Sequence, residues 1–330
     1  MSSKTHLMVL HPTYTFGGVE RTMCNLVKGL SPDEFEITYM TSQKIAENLS
    51  GAKGIKEIVG IDGLGINIWY TESFWKDWLK DTVRVCKIIK DKKPYMALGL
   101  MYYASSILSL GKLLGLLANI KVISSPRGPM MPYFEMCHKE KTISNSLIPI
   151  SYRCFCRFSD ALIVASNGMK NECLKFGARD KKVFVTPNSI DEELLMESSG
   201  ENEWKNHAFF QDGFIIASSG RLTPEKDFSL IIRAIERLIK GNFNVKLVIV
   251  GDGPDRLQYD NLIKELNIEN RALFTGFVKN PMQIFRLCHV FCHACMFEGF
   301  GNVLIEAMAC GLPVISLTVL LGLRILLMRE

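Results

Sequence analysis

The chain has 330 residues, 48% apolar and 22% charged, with 39 lysines and arginines against 34 aspartates and glutamates and a formal net charge of +5. That length suffices for two domains with separate cores, and the composition is that of a globular protein. The mild basic excess suits an anionic substrate or an acidic membrane surface, and it excludes the strongly basic character of a nucleic-acid binder. Ten cysteines show no framework of spacings. The start, MSSKTHLMVLHP, has too short an apolar stretch for a secretory signal, so the reading is a reducing, cytoplasmic setting with free thiols. No stretch reads as a membrane span. Residues 105–125 contain Lys112, Asn119 and Lys121 and read as a buried helix followed by a strand. The apolar run 315–328 is too short to span and carries Arg324.

In chain order, HLMVLHP (6–12) reads as a buried strand, followed by a loop with two glycines and then a helix over TYTFGGVERTMCNLVKGL (13–30). EITYMTS (36–42) is a second strand. A polar, aromatic stretch over 72–92 has helical spacing. YMALGLM, IKVISS and DALIVAS are further strands separated by helical segments, and KVFVTPNSID closes the series. The polar stretch 188–213 reads as a linker, after which the alternation restarts. FIIASSG, VKLVIVG, ALFTGFV, HVFCHAC and LPVIS are strands, each followed or preceded by a helical pattern. Strands alternating with helices imply a mostly parallel sheet covered on both faces. The expectation is an α/β protein of two Rossmann-like doubly wound domains, 1–190 and 213–330, joined by a linker at 191–212. The ligand would sit at the carboxyl ends of the strands, in a cleft that the two domains face.

Three stretches could carry chemistry. Gly17 and Gly18 lie between a strand and a helix, where backbone amides can approach a phosphate; a tight turn without a ligand reads equally well. In GRLTPEKDF (220–228), Arg221 and Lys226 sit between a strand and a helix and could clamp a diphosphate, a planar fork beside a point charge. In EGFGNVLIEAM (298–308), Asn302 is placed to cap a helix, and free amides at Gly301, Asn302 and Val303 would face an anion or sugar hydroxyls. Glu298 and Glu306 could each accept hydroxyl hydrogen bonds. One such glutamate would read as a helix-dipole acid, but two joined to this turn point to a ligand. GDGP (251–254) is either a pocket wall or a simple strand–helix turn. Cys288, His289, Cys292, His293 and Cys295 crowd one short stretch, but on a single strand their side chains alternate between faces and no second CxxC accompanies them, which argues against zinc. The run CHKEKT (137–142) reads as a solvated helix start rather than a catalytic base.

Together GGVE (17–20), PNSID (187–191), GRLTPEKDF, VGDGP (250–254) and FEGFGNVLIEAMACGLPVI resemble the retaining glycosyltransferases of family four, which have the GT-B fold. The segment SSPRGPMMPYFEMCHKEK (124–141) is similar to a proline–arginine–glycine segment of that family. The resemblance implies a sugar transfer from a nucleotide-sugar donor to a glycan or lipid-linked acceptor with retention of configuration, in cell-surface polysaccharide synthesis. It implies no metal and no other cofactor, because Arg221 and Lys226 would neutralise the leaving diphosphate. Glu298 would contact the donor sugar and Glu306 the ribose. Phe300, Gly301, Asn302 and Val303 would meet sugar hydroxyls or phosphate, and Gly17 and Gly18 would complete the phosphate cradle. Arg127 lies in the right kind of loop to contact acceptor or donor. Peripheral contact with the inner face of the cell membrane fits such an acceptor; residues 69–92 could touch that surface, but they read more readily as a solvated helix. Two departures are Ser189, where the family usually has glycine, and the absence of a clear N-domain histidine near the donor sugar. Other readings are a non-catalytic homologue that only binds nucleotide or carbohydrate, and a phosphorylase or epimerase of the same architecture; no cofactor-lysine or epimerase pattern stands out.

The resemblance ends at Ser316, where a family member would continue for about fifty residues. Deleting one base from one spelling of a family-like run, TDCPSGPQNIIDER, yields LTVLLGLRILLMR, the residues at 317–329. The tail 317–330 therefore reads as a frameshift that leaves the second domain incomplete, with low stability and weak transfer expected; the alternative is a divergent natural tail.

Overall fold

The computed structural model describes residues 4–12, 22, 25–49, 54–61, 74–129, 131–132 and 143–317. The chain divides into two compact units, Met1–Asn188 and Ser189–Glu330. In the first, strands β1 (Thr5–His11), β2 (Phe35–Thr41), β3 (Ile55–Gly60), β4 (Met96–Leu100), β5 (Lys121–Ser125), β6 (Ala161–Val164) and β7 (Val183–Val185) form one sheet in the order β3-β2-β1-β4-β5-β6-β7. Every pairing in it is parallel. The continuous apolar run of β1 has a physical cause. Met8 and Leu10 enter one core with Trp78, Val85, Ile89 and Ile107, while Leu7 and Val9 enter another with Val27, Ile45 and Leu49. Period-two alternation thus feeds two buried faces, as a covered parallel sheet requires.

Residues 101–113 form a helix with eight consecutive buried residues from Tyr102 to Ser109, followed by β5. Lys112 Nζ donates to Ile120 O at 2.7 Å and lies 3.0 Å from Asp160 Oδ2, which is how a charged residue sits in this apolar segment. The 72–92 stretch yields a helix at Phe74–Lys92 whose Trp78, Val85, Cys86 and Ile89 lie in the core, while Leu79 and Val83 are exposed. Residues 69–73 lie outside the described residues.

In the second unit, β8 (Phe214–Ser219), β9 (Val245–Val250), β10 (Ala272–Gly276), β11 (Val290–His293) and β12 (Val314–Ser316) pair in parallel in the order β10-β9-β8-β11-β12. All six residues of β9 are buried. Again successive residues part company: Leu247 and Ile249 pack with the helix Phe228–Lys240, and Val248 and Val250 with Phe285, Leu304 and Ala307.

The segment 191–212, expected as a linker, folds onto this unit. Asp191 caps a short helix at Glu192–Glu197 by accepting from Leu194 N at 3.1 Å, and Leu194 enters the core. Trp204, Phe209 and Phe210 pack against that core. Asn280 Nδ2 donates to Leu194 O at 2.7 Å, and Asn202 Nδ2 to Gln283 O at 2.6 Å. Five apolar residues in a polar run, Leu195 with the four above, anchor it, and a composition-based reading averages them away.

Candidate functional site

The second sheet changes direction between β8 and β11. From β8 the chain adds β9 and β10 on one side, then crosses to add β11 and β12 on the other. Loops leaving the carboxyl ends of the two strands diverge there, which opens a crevice in doubly wound sheets. The loop after β8 carries Arg221 and Lys226; the loop after β11 carries Glu298.

The first loop is braced by the GDGP turn. Leu222 N donates to Asp252 O at 3.0 Å and Asp255 N to Leu222 O at 3.1 Å. This approach is close: a Cβ on Gly251, whose φ is +142°, would stand 2.0 Å from Gly220 O, and one on Gly253 would stand 2.4 Å from Leu222 O. The two glycines therefore serve the neighbouring cation loop, a role the turn-or-wall reading of GDGP did not contain. Asp227, in the left-handed region at φ 43°, turns the chain into the helix Phe228–Lys240 and accepts from Ser229 Oγ at 2.6 Å. Met296 N donates to Glu225 O at 2.9 Å and ties the second loop to the first.

Within this frame Lys226 Nζ pairs directly with Glu298 Oε1, the two side chains being 18% and 19% exposed. Burial alone would lower the Lys226 ammonium, but the Glu298 carboxylate offsets this and holds it above its ordinary value. Burial alone would raise Glu298; Lys226, and His293 with it, hold it below the ordinary carboxylate value. Each charge keeps the other ionised. Arg221, earlier in the same loop as Lys226, is exposed.

Glycine, not asparagine, caps the following helix. Gly301 stands at the N-cap of Asn302–Ala309 with φ 86°, and Asn302 is its first residue. A Cβ at Gly301 would also meet Leu304 Cδ1 at 2.7 Å. Phe300 is buried, and Val303 packs against the core, so their side chains support the turn. Glu306 is 5% exposed on the same helix.

His293 is the last residue of β11, and its Nε2 lies 3.7 Å from Glu298 Oε1. That nitrogen is buried without a hydrogen-bond partner. Burial pulls the imidazole down to about 4; Glu298 opposes this and Lys226 adds to it, so the ring is neutral at pH 7. Ligand atoms of His293, Cys295 and Glu298 lie within 4.8 Å of one another. The chain leaves the strand after His293, which breaks the alternation expected to separate these side chains. The cluster suits a metal poorly: the Lys226 ammonium already pairs with the same carboxylate, and the Cys295 thiol, pushed up to about 12 by burial, donates to Phe297 O at 3.1 Å. A divalent ion would have to displace a cation and ionise a resistant thiol.

In the first unit, Gly17 and Gly18 lie outside the described residues, as does the run 137–142. Arg127, two residues past β5, is 7% exposed and donates from Nη1 to Asn188 Oδ1 at 2.9 Å. His11 ends β1, beside the first sheet's own change of direction between β1 and β4. Its Nδ1 is 2.7 Å from the Tyr39 hydroxyl, its Nε2 is buried without a partner, and burial pulls it down to about 4. Sequence reasoning passed over His11 and weighed His293 only as part of a zinc cluster. The available signal was their shared place, the last residue of a buried strand at a ligand-binding edge.

Residues 16–194, more than half of the chain, match the Glycosyltransferase Family 4 profile. The chain belongs to glycosyltransferase family 4. Residues 200–324 also match the profile of glycosyl transferases group 1, a match that runs past Ser316. An uncharacterized glycosyltransferase of Methanocaldococcus jannaschii is 29% identical over 259 residues, which cover 76% of this chain and 62% of that protein. The N-acetylgalactosamine-N,N'-diacetylbacillosaminyl-diphospho-undecaprenol 4-alpha-N-acetylgalactosaminyltransferase of Campylobacter jejuni is 37% identical over 158 residues, 48% of this chain and 41% of that one. The chain thus spans less than two thirds of the length of these curated relatives. Among solved structures, Anabaena HepE with UDP and glucose superposes with a TM-score of 0.74 at 18% identity, covering 99% of this chain and 83% of that one. Sucrose-phosphate synthase from Thermosynechococcus elongatus gives 0.76 at 15% identity, covering 98% and 83%. The fold is GT-B, with two Rossmann-like α/β units. Among the described residues, no helix of the chain is long and apolar enough to cross a membrane.

Proposed function

We propose that this glycosyltransferase moves a sugar from a nucleotide-sugar donor to a glycan or lipid-linked acceptor, with retention of configuration, in building a cell-surface polysaccharide. The observation that carries the proposal is the buried Lys226–Glu298 pair at the carboxyl edge of the second sheet, with Arg221 exposed on the same loop as Lys226. A diphosphate entering there meets two cations. As the glycosidic bond to the leaving diphosphate breaks, negative charge grows on its oxygens, and Arg221 and Lys226 stabilise that charge in place of a metal. Lys226 then shares its protons between phosphate and Glu298, which is left to accept hydrogen bonds from the sugar's hydroxyls. Amides at the Gly301 turn, followed by the helix Asn302–Ala309, favour the same anion, and buried Glu306 on that helix is assigned to the ribose. Gly17 and Gly18 are assigned to the phosphate from the first unit.

The names of the relatives support the substrate classes: the Campylobacter enzyme's acceptor is a diphospho-undecaprenol glycan, and HepE is seen with UDP and glucose. A lipid-linked acceptor is compatible with peripheral work at the inner face of a membrane, which a net charge of +5 suits. The test is a thermal-shift screen of nucleotides and nucleotide sugars, followed by donor hydrolysis. A saturating nucleotide at about a hundred times its Kd stabilises by about 2.7 kcal/mol. A flat response to every nucleoside diphosphate at millimolar concentration would sink the proposal.

A further inference from the structure

The first unit has a cationic centre of its own that no described side chain neutralises. Arg127 follows β5 and Asn188 follows β7, so their contact spans the carboxyl edge of the sheet above β6. The guanidinium offers five N–H donors. Only one bond is made, from Nη1 to the neutral Asn188 carbonyl at 2.9 Å. Nε is buried and unpartnered, and the residue is 7% exposed. Among the described residues no carboxylate pairs with it. Glu172, which holds the same loop, accepts instead from Met131 N at 3.0 Å and from the Tyr152 hydroxyl at 3.0 Å. Burial lowers Arg127 to about 10 with nothing to offset it, the opposite of the balance at Lys226. The loop is built to hold this state. Pro126 and Pro129 flank it, Ser125 Oγ donates to Ile163 O at 3.1 Å, and a side chain at Gly128 would point into open space.

A buried, mostly unsatisfied guanidinium is costly, and the cost is recovered when an anion enters. We propose that Arg127, oriented by Asn188, is a receptor for a phosphoryl group on a substrate, with Gly128 leaving the approach open. A planar fork suits two phosphate oxygens at once. The choice of phosphoryl rests on the transferase reading above, in which the donor and a lipid-linked acceptor both carry a diphosphate.

Calorimetry on the full chain with UDP and with geranyl diphosphate tests this, using wild type, Arg127→Gln and Asn188→Asp. The Asp variant places a carboxylate on the guanidinium and occupies the site from within. Both variants should weaken one of the two ligands at least tenfold. Loss confined to UDP assigns the donor's diphosphate, and loss confined to geranyl diphosphate the acceptor's. Tm separates this from a structural role: Asn188→Asp should raise it, and Arg127→Gln, which removes the uncompensated charge, should hold or raise it. Unchanged affinities for both ligands overturn the proposal, as does a lowered Tm in Arg127→Gln with binding intact. The transferase reading fails separately, if wild type does not bind UDP at all. In that case the geranyl diphosphate arm still decides the role of Arg127.

Discussion

Lys226→Met leaves Glu298 in its buried place without its cation, and the consequences can be worked through. Both side chains are less than a fifth exposed, so solvent screens the pair weakly. Removing one partner of such a pair costs about 3–5 kcal/mol, because the remaining charge loses its compensation. For a unit of this size, that lowers the melting temperature by about 10–20 °C. The sign of the pH dependence also inverts. In wild type, Lys226 holds Glu298 below its unfolded value, so its stabilisation is present above that value and lost as pH falls through the folded one. In the variant, burial raises Glu298 against only the smaller opposition of His293 and the Cys295 thiol, and His293 at 3.7 Å becomes a second acceptor for the same proton. The Glu298–His293 pair then takes up a proton on folding. Its stabilisation is present in acid and lost as pH rises through the raised value. Thermal melts from pH 4 to 8 read this directly. The variant should lose stability on going from pH 5 to 8, and Lys226→Met with Glu298→Gln should recover part of the loss with a flat profile. A variant within about 1 kcal/mol of wild type with an unchanged pH profile would refute the reasoning.

Buried neutral His11 and His293 should each make wild type lose about 3 kcal/mol as pH falls from 6.5 to 4, since the unfolded chain binds protons that the folded one refuses. His293→Leu should remove one such share from the acid limb of the stability curve. Gly251→Ala should cost about 3 kcal/mol or more, because a Cβ there would stand 2.0 Å from a carbonyl oxygen. It should also weaken nucleotide binding by displacing the Arg221 loop, read by titration calorimetry. Leu194→Ala should cost about 2–5 kcal/mol, read as an earlier melt of the second unit alone.

The alternation of strand and helix, the two sheets and the segments that matter were legible in the sequence. Continuous apolar runs such as VKLVIV admit few other fates than a parallel strand buried on both faces. The pairing of cation and carboxylate was legible as two separate motifs, GRLTPEKDF and EGFGN, 72 residues apart at Lys226 and Glu298. That they touch follows only from β8 and β11 being neighbours across the change of direction. The structure alone decided four further points. GDGP braces the cation loop, because backbone approach depends on which strand lies next door. The polar 191–212 segment straps onto the second unit through a few apolar contacts. His11 and His293 end their strands as buried, neutral rings, because burial sets their protonation and residue type does not. Among the described residues Arg127 stands without a counter-ion for the same reason: a sequence names the charge, but only tertiary packing determines what surrounds it.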